Sequence, residues 1–123
     1  MLPKLIAPCG MNCGICRAYL RKNNSCHGCH DAEQNKPKTR AACRLRLCNN
    51  RKGKFCYDCA LFPCDRLEHL DNRYRNKYGM SMIENLEVIK KSGMQKFIRT
   101  EKKRWIKGNK VLCVHDKEYY ELK

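Results

Sequence analysis

The chain has 123 residues, 42% of them hydrophobic once its 11 cysteines are included, and 27 Lys and Arg against 12 Asp and Glu give a formal charge of +15. With a mean hydropathy of −0.75, no apolar run approaches the ~20 residues of a membrane helix, and Met1 to Ala7 lacks the apolar stretch of a secretory signal. These features argue against a membrane span and an exported disulfide scaffold; the expected setting is cytoplasmic and reducing, where clustered cysteines read as metal ligands.

Along the first 64 residues, Leu, Ile, Val and Phe are too sparse for an ordinary core, so the segment needs a staple. Pro3, Pro8, Gly10, Gly14, Gly28, Pro37 and Gly53 break regular structure there, leaving short helical turns expected at Arg17 to Lys22 and Thr39 to Leu47. From Leu67 the pattern changes. Leu67, Leu70, Tyr74 and Tyr78 recur at helical steps up to Gly79. Ser81-x-x-Glu84 is a capping box that opens a second helix, with Met82, Ile83, Leu86 and Ile89 on one face and Gly93 past its end. A third is expected from Met94 to about Lys107, stopped at Gly108, and Val111 to Leu122 alternates as a hairpin turning at His115 to Glu118. The expected fold is a small metal-stabilised α+β unit. A loop-rich cysteine region (1–64) packs as one unit with about three helices and a terminal hairpin (65–123).

Cys13-x2-Cys16, Cys26-x2-Cys29 and Cys56-x2-Cys59 have the gap that wraps one backbone turn round a zinc ion. The simplest first site is Cys13, Cys16, Cys26 and Cys29; a second draws four ligands from Cys43, Cys48, Cys56, Cys59 and Cys64. Cys9 and one more cysteine are then left over. Crossed ligation through Cys9 and Cys64 would employ them, as would bridging thiolates, or His27 and His30 joining ten cysteines around three ions; the bland reading of both histidines is an exposed loop. Two or more zinc ions are expected, each contributing about 10–16 kcal/mol of folding free energy. Iron is the rival, because Cys9-x3-Cys13-x2-Cys16 has the spacing of radical enzymes that cleave S-adenosylmethionine, although the chain has no room for their barrel. Cys56-Tyr57-Asp58-Cys59 also permits a thiol redox reading, without the strand–helix context that motif wants. Cys113 reads as a buried small hydrophobe.

The order Cys9-Gly10, Cys13-x2-Cys16, Cys26-x-Gly28-Cys29, Cys43-Arg44-Leu45-Arg46-x-Cys48, Lys52-Gly53, Cys56-x2-Cys59, Phe62-Pro63-Cys64-x2-Leu67 resembles the family known as domain of unknown function 3795. These are small cysteine-rich proteins of bacteria and archaea. The resemblance covers residues 9 to 67 and implies a zinc-binding domain, with no established activity. Leu112-Cys113-Val114-His115 is similar to half of a zinc ribbon whose preceding cysteine pair is here Ile106-Lys107-Gly108-Asn109, which argues against a third site.

The charge survives correction for metal: eight thiolates on two zinc ions would lower it by about four. A field of that sign attracts polyanions. Lys96, Arg99, Lys103 and Lys107 form one helical stripe, and Arg44, Arg46, Arg51, Lys52 and Lys54 make a second patch. The expected partner is nucleic acid or an acidic protein, against the plain reading of a solvated basic surface. Tyr19, Tyr57 and Trp105 are possible stacking groups, Trp105 being better suited to the core. No Ser-His-Asp order, phosphate loop or paired carboxylates point to an enzyme.

Overall fold

The computed structural model describes residues 1–29, 45, 47–48 and 53–122. The expected turn from Thr39 to Leu47 falls largely outside the described residues. Among the described residues three short 3-10 turns, Pro3–Leu5, Cys13–Ile15 and Cys56–Asp58, and one turn of helix, α1 (Arg17–Leu20), carry the cysteine-rich part. Helix α1 is thus shorter than the expected Arg17 to Lys22.

The three longer helices follow their sequence signals closely. Helix α2 (Asp65–Tyr78) ends on Gly79, whose left-handed backbone (φ 67°) carries the N–H that caps Tyr74 O. Helix α3 (Met82–Ser92) starts where Ser81 Oγ accepts the Glu84 N–H at 3.1 Å. It buries Met82, Leu86 and Ile89 and half-buries Ile83. Helix α4 (Met94–Trp105) buries Phe97, Ile98, Glu101 and Trp105.

Helix α4 stops two residues before the expected Lys107. Ile106 and Lys107 instead form strand β1 (Ile106–Lys107), paired antiparallel with β2 (Lys110–Leu112) through Ile106–Val111 and Lys107–Lys110. The intervening Gly108-Asn109 is a two-residue hairpin turn, and the β-branched Ile106 and Val111 suit the ladder better than a last helical turn. Strand β3 (Tyr119–Glu121) completes the expected hairpin with β2, giving a three-stranded antiparallel sheet in the order β1-β2-β3.

One core runs through both halves of the chain. Ile6, Ile15, Leu67, Met82, Leu86, Val111 and Val114 are almost fully buried within a single cluster. Hydrogen bonds cross the compositional boundary and close the cysteine region on itself. Val114 N–H donates to Ile15 O (2.9 Å), Arg17 N–H to His115 Nδ1 (3.1 Å), Asn85 Nδ2 to Gly10 O (3.0 Å) and Cys56 N–H to Pro8 O (2.8 Å). Gly10 sits at the tightest part of this seam. Its φ is +91°, and a Cβ there would lie 2.6 Å from Met82 O and 2.8 Å from Leu86 Cγ.

Asp71 is a buried polar hub, 3% exposed. Its Oδ1 accepts from Ser81 Oγ (2.6 Å) and Ile83 N–H (3.0 Å), its Oδ2 from Arg75 Nε (2.6 Å). Burial alone would raise this carboxyl, but the bonds from Ser81, Arg75 and Ile83 outweigh it and hold the group below its ordinary value. Trp105 is core, as its neighbours imply, with the Arg104 guanidinium 4.6 Å from its ring centroid.

Candidate metal centre

Two of the three described Cys-x2-Cys pairs, Cys13/Cys16 and Cys56/Cys59, have the same backbone. In each the first cysteine opens a 3-10 turn and the second closes it: Cys16 N–H donates to Cys13 O and Cys59 N–H to Cys56 O, both at 3.1 Å. The closing residues share an extended conformation, φ −84° and ψ 132° for Cys16 against φ −93° and ψ 137° for Cys59. A side chain braces each turn. Asn12 Oδ1 accepts the Gly14 N–H at 2.9 Å, and Asp58 Oδ2 accepts the Phe55 N–H at 3.3 Å. Asn12 is fully buried, and its polar atoms explain why this position is not apolar.

The second pair folds back on the first through α1, where Ala18 O accepts the Cys26 N–H at 2.7 Å. Gly28, with φ +105°, turns the chain between His27 and Cys29 in a conformation that a side chain would resist. The result is a cavity of about 770 Å³ lined by Cys9, Cys13, Cys16, Cys26 and Cys29. Cys13 Sγ lies 3.9 Å from Cys29 Sγ. That is far beyond a disulfide, and no disulfide joins any two described cysteines. Two thiolates on a tetrahedral zinc, at about 2.3 Å each, stand about 3.8 Å apart, so the pair already has the length of one tetrahedron edge. The hydrogen bond to Cys29, reinforced by burial, pushes the Cys13 thiol well above its ordinary range.

The sequence-derived ligand sets are assembled unevenly. Cys9, expected to be left over, joins the first four around the same cavity. Cys56 is buried, Cys48, Cys59 and Cys64 are half-buried, and Cys59 Sγ accepts the Leu61 N–H at 3.4 Å. Among the described residues no three His, Cys, Asp or Glu side chains close into a ligand group. Cys43 and His30 lie outside the described residues, and His27 is exposed. The Cys56 N–H bond to Pro8 O brings the second turn to the residue before Cys9, a link between the two ends of the cluster that no spacing rule shows.

The Cys113–His115 segment has other work. Cys113 is fully buried, as expected of a small hydrophobe, and burial raises its thiol. His115 Nδ1 accepts the Arg17 N–H, which leaves Nε2 protonated and donating to Tyr74 Oη at 2.7 Å. Both ring nitrogens are used in tertiary bonds, and the edges of Tyr74 and Tyr78 pack on the ring.

Of the basic residues singled out in the sequence, Lys96, Arg99 and Lys103 on α4, Lys107 on β1, and Lys54 are exposed; Arg44, Arg46, Arg51 and Lys52 lie outside the described residues. Tyr57 stacks on Phe55, centroids 5.4 Å apart. The far wall of the cavity includes Arg66, His69 and Arg73 of α2, which the sequence reading passed over. Their i, i+3, i+7 spacing beside Leu70 and Tyr74 was the available signal.

Fold and site together define a small cysteine-rich α+β domain: a cysteine region, three longer helices and a terminal three-stranded antiparallel sheet. Residues 5–69 match the family described as protein of unknown function (DUF3795), and the chain belongs to that family. Among curated proteins and among solved structures, nothing matches.

Proposed function

We propose that the protein is a zinc-binding module with a basic surface that contacts nucleic acid. The observation that carries the metal reading is the five-cysteine wall with its 3.9 Å sulfur pair. Cys13, Cys16, Cys26 and Cys29 would supply a four-thiolate set of the type zinc favours once drawn together by the ion, with Cys9 as a fifth, for exchange or bridging. The second ion would draw on Cys43, Cys48, Cys56, Cys59 and Cys64, two of which already sit on a turn with the backbone of the first pair. Zinc ligation requires thiolates, so binding releases protons and its affinity rises with pH. Five thiols on one cavity also suit an iron–sulfur cluster, the second reading.

Native mass spectrometry of reduced protein purified anaerobically tests this reading. Two zinc ions per chain are expected. Iron with inorganic sulfide would move the assignment to the second reading, and metal-free, folded protein would refute both.

Support for the partner is the exposed row Lys96, Arg99 and Lys103 on α4, continued by Lys107. Binding to mixed RNA or DNA is expected to weaken steeply with salt, and Lys103→Gln to reduce the slope of log K against log salt by about one. Retention by an acidic protein but not by nucleic acid would reassign the surface, and loss of both would leave it as a solvated face.

A further inference from the structure

The cavity that the cysteines line on one side has a different chemistry on the other. Helix α2 presents two distinct faces, one buried and one largely exposed at the rim of the cavity. Leu67, Asp71 and Tyr74 are buried in the core, while Arg66, His69, Leu70 and Arg73 line the cavity. Among the described residues neither Arg66 nor Arg73 is in an ion pair, although Arg75, two residues on, is held by Asp71 and Glu84. The remaining lining is largely apolar, with Met11, Leu45 and Met82 among it. At about 770 Å³ the space lies within the range of small-molecule sites.

We infer that this cavity binds a small amphipathic anion, its carboxylate- or phosphate-type head on Arg66 and Arg73 and its apolar body against Met11, Leu70 and Met82. Three physical arguments support the assignment. Guanidinium is the side chain best matched to such heads, through paired N–H donors. Seven residues of helix separate the two by about 10.5 Å along the axis, a gap that long side chains close from both ends. Asp65 offsets one of the two charges, yet the surrounding protein is strongly cationic, so the field still favours an anion. The arginines fix the orientation: the head lies on Arg66 and Arg73, and the apolar body reaches across Leu70 to Met11 and Met82. The inference does not rest on a metal at the cysteines.

Two probes with one aromatic body test it: 8-anilinonaphthalene-1-sulfonate, and N-phenyl-1-naphthylamine, which lacks the sulfonate. The full-length protein is used with its metal content measured in every sample. Saturable binding of one sulfonate probe per chain is expected, with the neutral probe about tenfold or more weaker, as loss of a charged hydrogen-bonded pair implies. The double variant Arg66→Gln/Arg73→Gln should lower sulfonate affinity by a similar factor and leave the neutral probe unchanged. Lys96→Gln/Lys103→Gln on α4 should leave both probes unchanged. Amide shifts on titrating the parent protein should concentrate at Leu70, Tyr74 and Met82, a readout that survives even if the double variant misfolds. Equal affinity for the two probes, or shifts scattered away from α2, would overturn the proposal. So would a double variant that folds and binds within about twofold of the parent, since so small a change is well under one hydrogen bond to a charged group.

Discussion

The helical region from Asp65 onward buries Leu67, Leu86, Phe97 and Val111 on regular amphipathic faces, while the first 64 residues bury Ile6, Ile15 and a set of cysteines on turns of three or four residues. In the first case the elements are long enough to specify themselves, and the caps at Ser81 and Gly79 mark their ends. In the second, each turn buries only one to three residues, and the turns meet through single pairings such as Cys26 N–H to Ala18 O and Cys56 N–H to Pro8 O. The contrast shows where stability resides. Apolar burial supports the helices, and the thiol-rich turns depend on the seam at Gly10, Pro8 and Ile15.

Removing metal should break that contrast most sharply. With about 10–16 kcal/mol of folding free energy per structural zinc, a chelator under reducing conditions is expected to collapse the amide dispersion of residues 1–29. The far-ultraviolet helical signal of α2 to α4 should largely persist. A stripped, reduced protein with unchanged dispersion would show that the turns hold without metal.

Next in size are substitutions at the seam. Leu86→Ala, at a side chain with no exposure, is expected to cost about 2–5 kcal/mol by denaturant titration. Gly10→Ala should cost about 2–4 kcal/mol, since the new Cβ meets the Met82 carbonyl and the φ is positive. If Gly10→Ala proves neutral, the cysteine region is not held against α3 in the manner described.

Asp71 gives a smaller effect with a pH signature. Its carboxyl is held below the ordinary value in the folded state, so its stabilisation is complete above the unfolded value near pH 3.9 and is lost as pH falls through the folded value. Asp71→Asn is expected to cost about 1–3 kcal/mol at neutral pH and to flatten the loss of stability in acid. An unchanged acid limb in urea titrations would remove Asp71 from the account.

The smallest change tests the link between the two regions. Tyr74→Phe removes the hydroxyl that accepts from His115 Nε2 and should cost about 0.5–1.5 kcal/mol. His115→Ala should cost more than Tyr74→Phe, because the Arg17 N–H loses its acceptor as well. Hydrogen exchange at Arg17 is the measurement, and faster exchange only in the histidine variant is the expected outcome.

Much of the helical region was legible in advance. The capping serine, the terminal glycines and the three- and four-residue steps of Leu67 to Tyr78 and Met82 to Ile89 act within one or two turns, and such local signals survive tertiary packing. The end of α4 was not legible, because Ile106 and Lys107 suit either state until Lys110 and Val111 offer them a ladder. Of the candidate site, the pairs were visible as spacing. Asn12 and Asp58 as braces, and Arg66 and Arg73 on the facing wall, were not, since each depends on what stands opposite.

By itself the sequence determined the family, the basic charge, the cysteine pairs and the approximate positions of the three longer helices, all properties carried by composition or by contacts within a few residues. Tertiary structure alone decided that Cys9 joins the wall of Cys13, Cys16, Cys26 and Cys29, that the Cys56 turn is tied to Pro8, and that His115 serves Tyr74 and Arg17. Those are long-range pairings. Spacing along a chain fixes which residues can meet within one turn, and only packing across the core selects which distant ones do.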